Sequence, residues 1–304
     1  MEETYDVVVV GGGAAGLSAA LTLSRARRSV LVVDAGEPRN APAGQVHNYL
    51  GREGTPPGDL YGIGRAEVER YGGEFVSARV TRLEPGFRVT LEGDRILRAR
   101  RLLVTTGLTD ELPAVPGLAA GWGHDVLHCP YCHGWEVRDQ PIGVIAISPM
   151  AVHQALLWRQ WTDDVVLFLN AALTLTDEQR EQFAARGITV REGAVAAWED
   201  KAVRMSDGEA VPRAAVVVQT RMHANADLLA DLGVKAVERE VNGVVIGTYV
   251  PTEPTGATSF PGLYAAGNIA DPMAQVLVAA AQGLAAAGAI NGDLVNEDTE
   301  AAIR

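Results

Sequence analysis

Apolar residues recur along the chain in two rhythms. Tyr5 to Val10 is an unbroken, mostly β-branched run, the pattern of a strand buried on both faces of a parallel sheet. A glycine turn follows, then helix-spaced apolar residues from Leu17 to about Arg27 and a second strand-like run, Ser29 to Val33. Leu60 to Tyr71 has helical spacing. Phe75 to Leu83, Phe87 to Leu91 and Ile96 to Leu103 read as strands, punctuated by Pro85-Gly86 and Gly93-Asp94. Ile142 to Ile147, Met150 to Trp161 and Val165 to Leu169 repeat the strand–helix–strand order of the N-terminus. Asp177 to Arg186 reads as a helix, 187–218 as strands and turns, and Arg221 to Asp231 as a polar segment turning helical. A short strand before Gly267 and an Ala/Gly-rich helix, Ala274 to Ile290, close the pattern, with a tail from Glu297 expected to fray. Pro113 to Gly117 and Asn242 to Thr248 read as linkers, and Ala35 to Asp59, rich in Pro, Gly and Asn, as a long functional loop.

The alternation predicts an α/β chain of two doubly wound, Rossmann-like domains. The first carries a complete dinucleotide fingerprint. Gly11, Gly13 and Gly16 form G-x-G-x-x-G between strand and helix. The first glycine allows the tight turn, the second the approach of a pyrophosphate, the third the packing of helix on strand. Asp34 ends the next strand, 23 residues after Gly11, where an acid bonds the ribose of an adenine dinucleotide. The second βαβ unit lacks this equipment. Ala146, Ser148 and Ala151 stand where the glycines belong, Pro149 removes an N–H from the helix start, and Leu169-Asn170-Ala171 offers neither an acid for a ribose diol nor an arginine for a 2′-phosphate. A nucleotide fold with its nicotinamide site lost is expected there.

Composition narrows the partners. Net charge is −12 without a Lys/Arg run, which argues against nucleic acid. The longest apolar stretch, Val276 to Ile290, is short for a bilayer and is interrupted by Gln282 and glycines. The acidic Met1-Glu2-Glu3 leads straight into a strand, so no secretion signal and a soluble, cytoplasmic protein are expected. The only two cysteines of the 304 residues lie in His128-Cys129-Pro130-Tyr131-Cys132-His133-Gly134. So short a loop gains little by crosslinking, and in a reducing compartment the pair reads as redox-active. His128 and His133 flank it, and His124 lies just upstream, candidates for moving thiol protons. The competing readings are a zinc site borrowing those histidines and two inert core cysteines; no second cysteine pair completes the zinc pattern, and no metal is expected.

Gly11 to Gly16, the CPYCHG stretch and Pro261 to Asn268 leading to Ala274-Gln275-Val276 occur in an order that resembles the low-molecular-weight thioredoxin reductases over nearly the whole chain. That resemblance implies an FAD domain, 1–114 and 244–304, interrupted by a nicotinamide-domain-like module, 115–243, that carries the Cys-x-x-Cys. It implies FAD on Gly13, Ala14, Ala15 and Gly16, with Asp34 and Ala35 at the ribose. Arg39, Asn40 and His47 would lie in a wrapping loop and Val80 near adenine. Thr106, Gly107 and Asn268 would flank the ribityl chain, and Gln275 and Val276 would meet the flavin ring. The departures, a degenerate nicotinamide site, His133 for an acid and Asn268 for the usual aspartate, are similar to the branch of small-molecule dithiol oxidases that close the disulfides of gliotoxin and holomycin. That branch implies an intramolecular disulfide formed in a natural-product dithiol, electrons passing by Cys129 and Cys132 to FAD and then O₂, giving H₂O₂. His133, His128, His124 or Asp271 would handle protons, in a homodimer. Trp122, Tyr131 and Trp135 are candidate pocket walls. The alternatives are a thioredoxin or disulfide reductase fed by NADPH or another donor, and a flavin-binding redox sensor.

Overall fold

The computed structural model describes residues 3–304 and has the expected α/β architecture. Strand Glu3–Val10 lies between Val30–Asp34 and Ile96–Val104, all parallel. Glu74–Ser77 extends one edge, while Leu263–Ala265 joins Ile96–Val104 at its far end. The continuous Val7–Val10 run is explained by its two faces. Val7 and Val9 pack under the helices Ala14–Arg25 and Val276–Ile303, and Val8 and Val10 face a second core with Leu83, Val89 and Leu229. Gly283 lets the two helices touch. A Cβ there would fall deep inside the Ala15 carbonyl oxygen.

The module is built the same way. Five parallel strands run in the order Thr189–Arg191, Val165–Phe168, Ile142–Ile145, Ala215–Val218, Val126–Leu127. Helices Met150–Trp158 and Asp177–Arg186 cover one face, and a three-stranded antiparallel sheet covers the other. Thr176 and Gln179 form a capping box at the start of Asp177–Arg186, and Gly187 ends it in the left-handed region.

Two expectations shift. The segment read as a second linker is a hairpin: Val237–Val241 and Val244–Tyr249 pair antiparallel around Asn242-Gly243, both at positive φ (51° and 77°). This is the Asn-Gly signal of a primed turn, which the expected linker at 242–248 overlooked. Residues Ala226, Leu229, Leu232 and Val234 pack into the first core. We therefore place the return crossing at strand Arg221–Ala224, which pairs antiparallel with Leu108–Glu111, rather than at 243. The tail expected to fray is helical to Ile303. Arg100 bonds Asp6, Glu297 and Asp298, Arg101 bonds Asp293 and Glu297, and Arg28 bonds Asn291 and Asp298, so three arginines on the sheet side hold the helix end.

Gly283→Val should destabilise the fold by about 3 kcal/mol through forced separation of the two helices. Gly288→Ala, on the same helix with open space before its Cβ, should stabilise by up to about 1 kcal/mol. Urea unfolding midpoints of the two variants check the pair.

Candidate active site

The glycine turn is built for a bound group. Gly11 sits at φ 109°, where a side chain is strained, and Thr105, buried behind it, donates to the Gly11 and Val10 carbonyls at 2.8 and 3.1 Å. Gly12 N donates to Asp34 Oδ1 at 2.9 Å, which ties the turn to the end of the second strand. Gly13 begins helix Ala14–Arg25 with no side-chain cap, and a Cβ on Gly13 would meet nothing within 4 Å. An uncapped helix start facing open space, with an acid one strand away, fits the diphosphate and ribose of FAD. Ala14, Ala15 and Gly16 form the first turn behind it. Asn40 accepts from the partly buried Tyr61 hydroxyl at 3.0 Å, and Val80 opens strand Val80–Glu84, opposite Leu91, with its side chain in the core. Ala35 follows Asp34 outside the sheet. Gln275 precedes the first turn of helix Val276–Ile303, again without a side-chain cap.

Other residues expected around the cofactor have protein partners. Arg39 pairs bidentately with Asp110 at 2.6 and 2.8 Å and donates to Asn268 Oδ1 at 3.2 Å. Thr220 donates to the same Asp110 at 2.7 Å. Burial alone would raise the Asp110 carboxyl, but Arg39 and Thr220 hold it below the usual range. Asn268 spends its amide N–H groups on the carbonyls of Asp271 and Ala274 at 3.1 and 2.9 Å. Asp271 accepts from Met273 N and from Gln282, which in turn accepts from Gly267 N. Asp271 thus braces this turn. Thr106 and Asn225 exchange side-chain and backbone bonds across the two crossing strands, and Gly107 (φ 68°) accepts from Asn225 N. His47 lies further out, its Nδ1 2.6 Å from Glu53 and its Nε2 3.4 Å from Glu136.

The cysteines occupy the turn after strand Val126–Leu127. Cys129 precedes the short helical turn Pro130–His133, and Cys132 Sγ lies 2.9 Å from Cys129 Sγ as a dithiol. The Cys132 S–H donates to Cys129, and with the N–H groups of Cys132 and Tyr131 and the charge of Arg39 it outweighs burial and brings Cys129 down to about 7. Cys132 is pushed up, by giving its proton to that bond and by burial. Within the coupled pair, the negative charge is favoured on Cys129.

The histidines separate by environment. His128 is partly buried, lies 3.1 Å from the Val218 carbonyl through Nδ1, and is driven toward its neutral form by burial. His133, next to Cys132, is also lowered by burial, and both its ring nitrogens are buried without a partner among the described residues. Burial favours its neutral form, whose acceptor nitrogen is unspent among the described residues. His124 is exposed, close enough for its charge to bear on His133. Among the described residues no cluster of three metal-ligating side chains forms.

In the module, the first three N–H groups of helix Met150–Trp158 are all taken. Met150 N donates to Ser148 Oγ, Ala151 N to Ser148 O, and Val152 N to Pro149 O. Ser148 Oγ itself donates to Gln219 at 2.6 Å. Asn170, at φ 50°, donates to Ala146 O and accepts from Val195 N. The N–H groups at this helix start are thus committed to protein acceptors.

The sequence reading missed Asp110, Thr220, Asn225, Thr105, Glu53 and Glu136. Their partners are 71 to 119 residues away, apart from Glu53, bonded to His47 six residues before it, and Glu136, whose partner is that same His47 of the long loop. Only Glu53, six residues after His47 in a long loop, lay within reach of a local reading.

A dinucleotide cradle in one module and a vicinal thiol pair in the next define a disulfide-handling oxidoreductase. A family model described as pyridine nucleotide-disulphide oxidoreductase matches residues 5–283, and the chain belongs to that family, whose cofactor is FAD. It is 28% identical to the thioredoxin reductase sirT of Leptosphaeria maculans, over 98% of this chain and 96% of that one. It is 31% identical to the thioredoxin reductase tcpT of Claviceps purpurea, over 86% of each. The crystal structure of HlmI superposes with TM-score 0.90 at 47% identity, covering 98% of this chain and 95% of the other.

Two outcomes test the site. Gly13→Val, at an ordinary φ of −77°, should keep the circular dichroism of the fold but lose the yellow cofactor on purification. In the reduced protein, the pH midpoint for alkylation of Cys129 should lie near 7 and move up in Cys132→Ala, which removes the S–H donor.

Proposed function

We propose that the protein is a dithiol oxidase that closes an intramolecular disulfide in a small-molecule dithiol, with O₂ reduced to H₂O₂. The observation that carries this reading is the contrast between the two dinucleotide units: an open cradle at Gly13 and a filled one at Ser148–Asn170, with the thiol pair between them in sequence. The net reaction is R(SH)₂ + O₂ giving R(S–S) + H₂O₂. When bound, FAD takes the electron pair from the reduced cysteines and delivers it to O₂.

Starting from the Cys129–Cys132 disulfide, a substrate thiolate attacks Cys129 Sγ. The new S–S bond is a mixed disulfide, and Cys132 leaves with the electron pair of the broken bond. The second substrate thiol loses its proton and attacks the first substrate sulfur, closing the product disulfide and expelling Cys129. Cys129 suits that role because its low thiol pKa makes it the better leaving group. His133 is the proton acceptor. Burial keeps it neutral, and its nitrogens are not committed to other bonds. His128 is held to the Val218 carbonyl through Nδ1. We also read the protein as a homodimer, supported by an apolar outer stripe of the last helix, where Leu277, Val278, Leu284 and Val295 are exposed beside Ala281, Gly288 and Gly292.

Anaerobic stopped-flow absorbance tests the reading. Dithiothreitol should bleach the flavin, NADPH should leave it coloured, and air should restore the colour with one H₂O₂ per disulfide. Rapid bleaching by NADPH would instead make the protein a reductase. His133→Ala should lower kcat by about 10²-fold or more, with flavin content unchanged.

A further inference from the structure

A cavity of about 370 Å³ opens between the loop 45–54 of the first domain and the cysteine turn. Its wall includes His47, Asn48, Glu53, Tyr131, Trp135 and Glu136. Tyr131 is one of the two residues between the cysteines, and Asn48, at φ 60°, donates to its carbonyl at 2.6 Å, so loop and turn are joined at the cavity wall. The volume suits a small molecule and is too small for a folded protein's surface loop to enter with its neighbours. The rim is apolar: Tyr131 and Trp135 are 56% and 66% exposed.

The charge in this wall is one-sided. Glu53 accepts from the Asn48 N–H at 2.8 Å and faces His47 Nδ1, which keeps its carboxyl below the usual range. Glu136 reaches the other ring nitrogen. Even a protonated His47 leaves two carboxylates against one cation. Arg138 does not line the cavity. It stacks on Trp135 at 4.1 Å and donates to the Trp135 carbonyl.

We infer that Glu53 and Glu136 select the substrate by charge: the cavity, walled by Tyr131 from between the two cysteines, takes small neutral or cationic dithiols beside the cysteine turn and disfavours carboxylate-bearing ones. The assignment rests on the oxidase reading for its substrate but on the cavity for its field. Two carboxylates beside the path of an incoming anion repel it, and the effect is screened by salt.

The test uses two reagents of similar size on the reduced full-length holoprotein, so it does not require turnover. The ratio of Cys129 alkylation rates by neutral iodoacetamide and anionic iodoacetate is measured against the same ratio for free mercaptoethanol. The protein should disfavour iodoacetate roughly tenfold more strongly than mercaptoethanol does. Glu136→Gln and Glu53→Gln should each shrink that factor several-fold, and so should added salt. In parallel, oxygen uptake should give a higher kcat/KM for dithiothreitol and for its amine analogue dithiobutylamine than for dihydrolipoate. The dihydrolipoate disadvantage should narrow in Glu136→Gln. An alkylation ratio equal to that of mercaptoethanol, or one unmoved in both variants, overturns the inference. Failure to oxidise any dithiol, with the alkylation ratio as expected, overturns the oxidase reading and leaves the charge selection standing.

Discussion

The site depends on one joint. The chain leaves the first domain along Leu108–Glu111 and returns along Arg221–Ala224, and these strands pair antiparallel. Asp110 lies in that pair with its side chain almost fully buried, held by Arg39 from the long loop and Thr220 from the end of the module. Removing one partner of such a pair leaves a charge in a place that cannot solvate it, so the joint favours a single arrangement over a loose hinge. Arg39 also reaches Asn268, in the turn before the last helix. One guanidinium therefore ties together the long loop, the crossing strands and the turn before the last helix.

The cysteine turn inherits its chemistry from that placement. Neither thiol is unusual by itself. Cys129 becomes acidic because Cys132 donates to it, two backbone N–H groups point at it, and Arg39 adds positive charge. His133 gains its character from the opposite cause, an environment that offers it no partner among the described residues. Acceptor and acid are thus set apart by packing within a few positions of chain, much as paired titratable groups in enzymes are driven apart by their surroundings.

Local signals told most of the fold. The fingerprint at Gly11–Gly16 was legible because backbone geometry restricts which residues stand there. Val7–Val10 read as a buried strand because both faces are covered. What was not legible has one physical origin. Asp110 is an ordinary aspartate until Arg39, 71 residues away, is folded onto it. The end of the last helix reads as frayed because its stabilisers, Arg28 and Arg100, lie far back in sequence. Asn242-Gly243 carries a clear turn signal, and reading it as a linker mistakes a tight hairpin for a flexible break. His47 reads as a cofactor-loop residue by its position, and its carboxylate partners, Glu53 and Glu136, were not legible with it.

The proposed closure of the module's cradle has an evolutionary consequence. Ser148 and Asn170 have become parts of the backbone bonding around the turn. Replacing Asn170 by an acid removes the donor to Ala146 O, and reopening the turn at Ser148 strands Met150 N and Gln219. Each orphaned group costs about 1–3 kcal/mol, so single reversions toward nucleotide binding are penalised before any benefit appears. Descent from a two-cofactor ancestor would work as a ratchet: drift closes the second site readily, and stability then guards it against return.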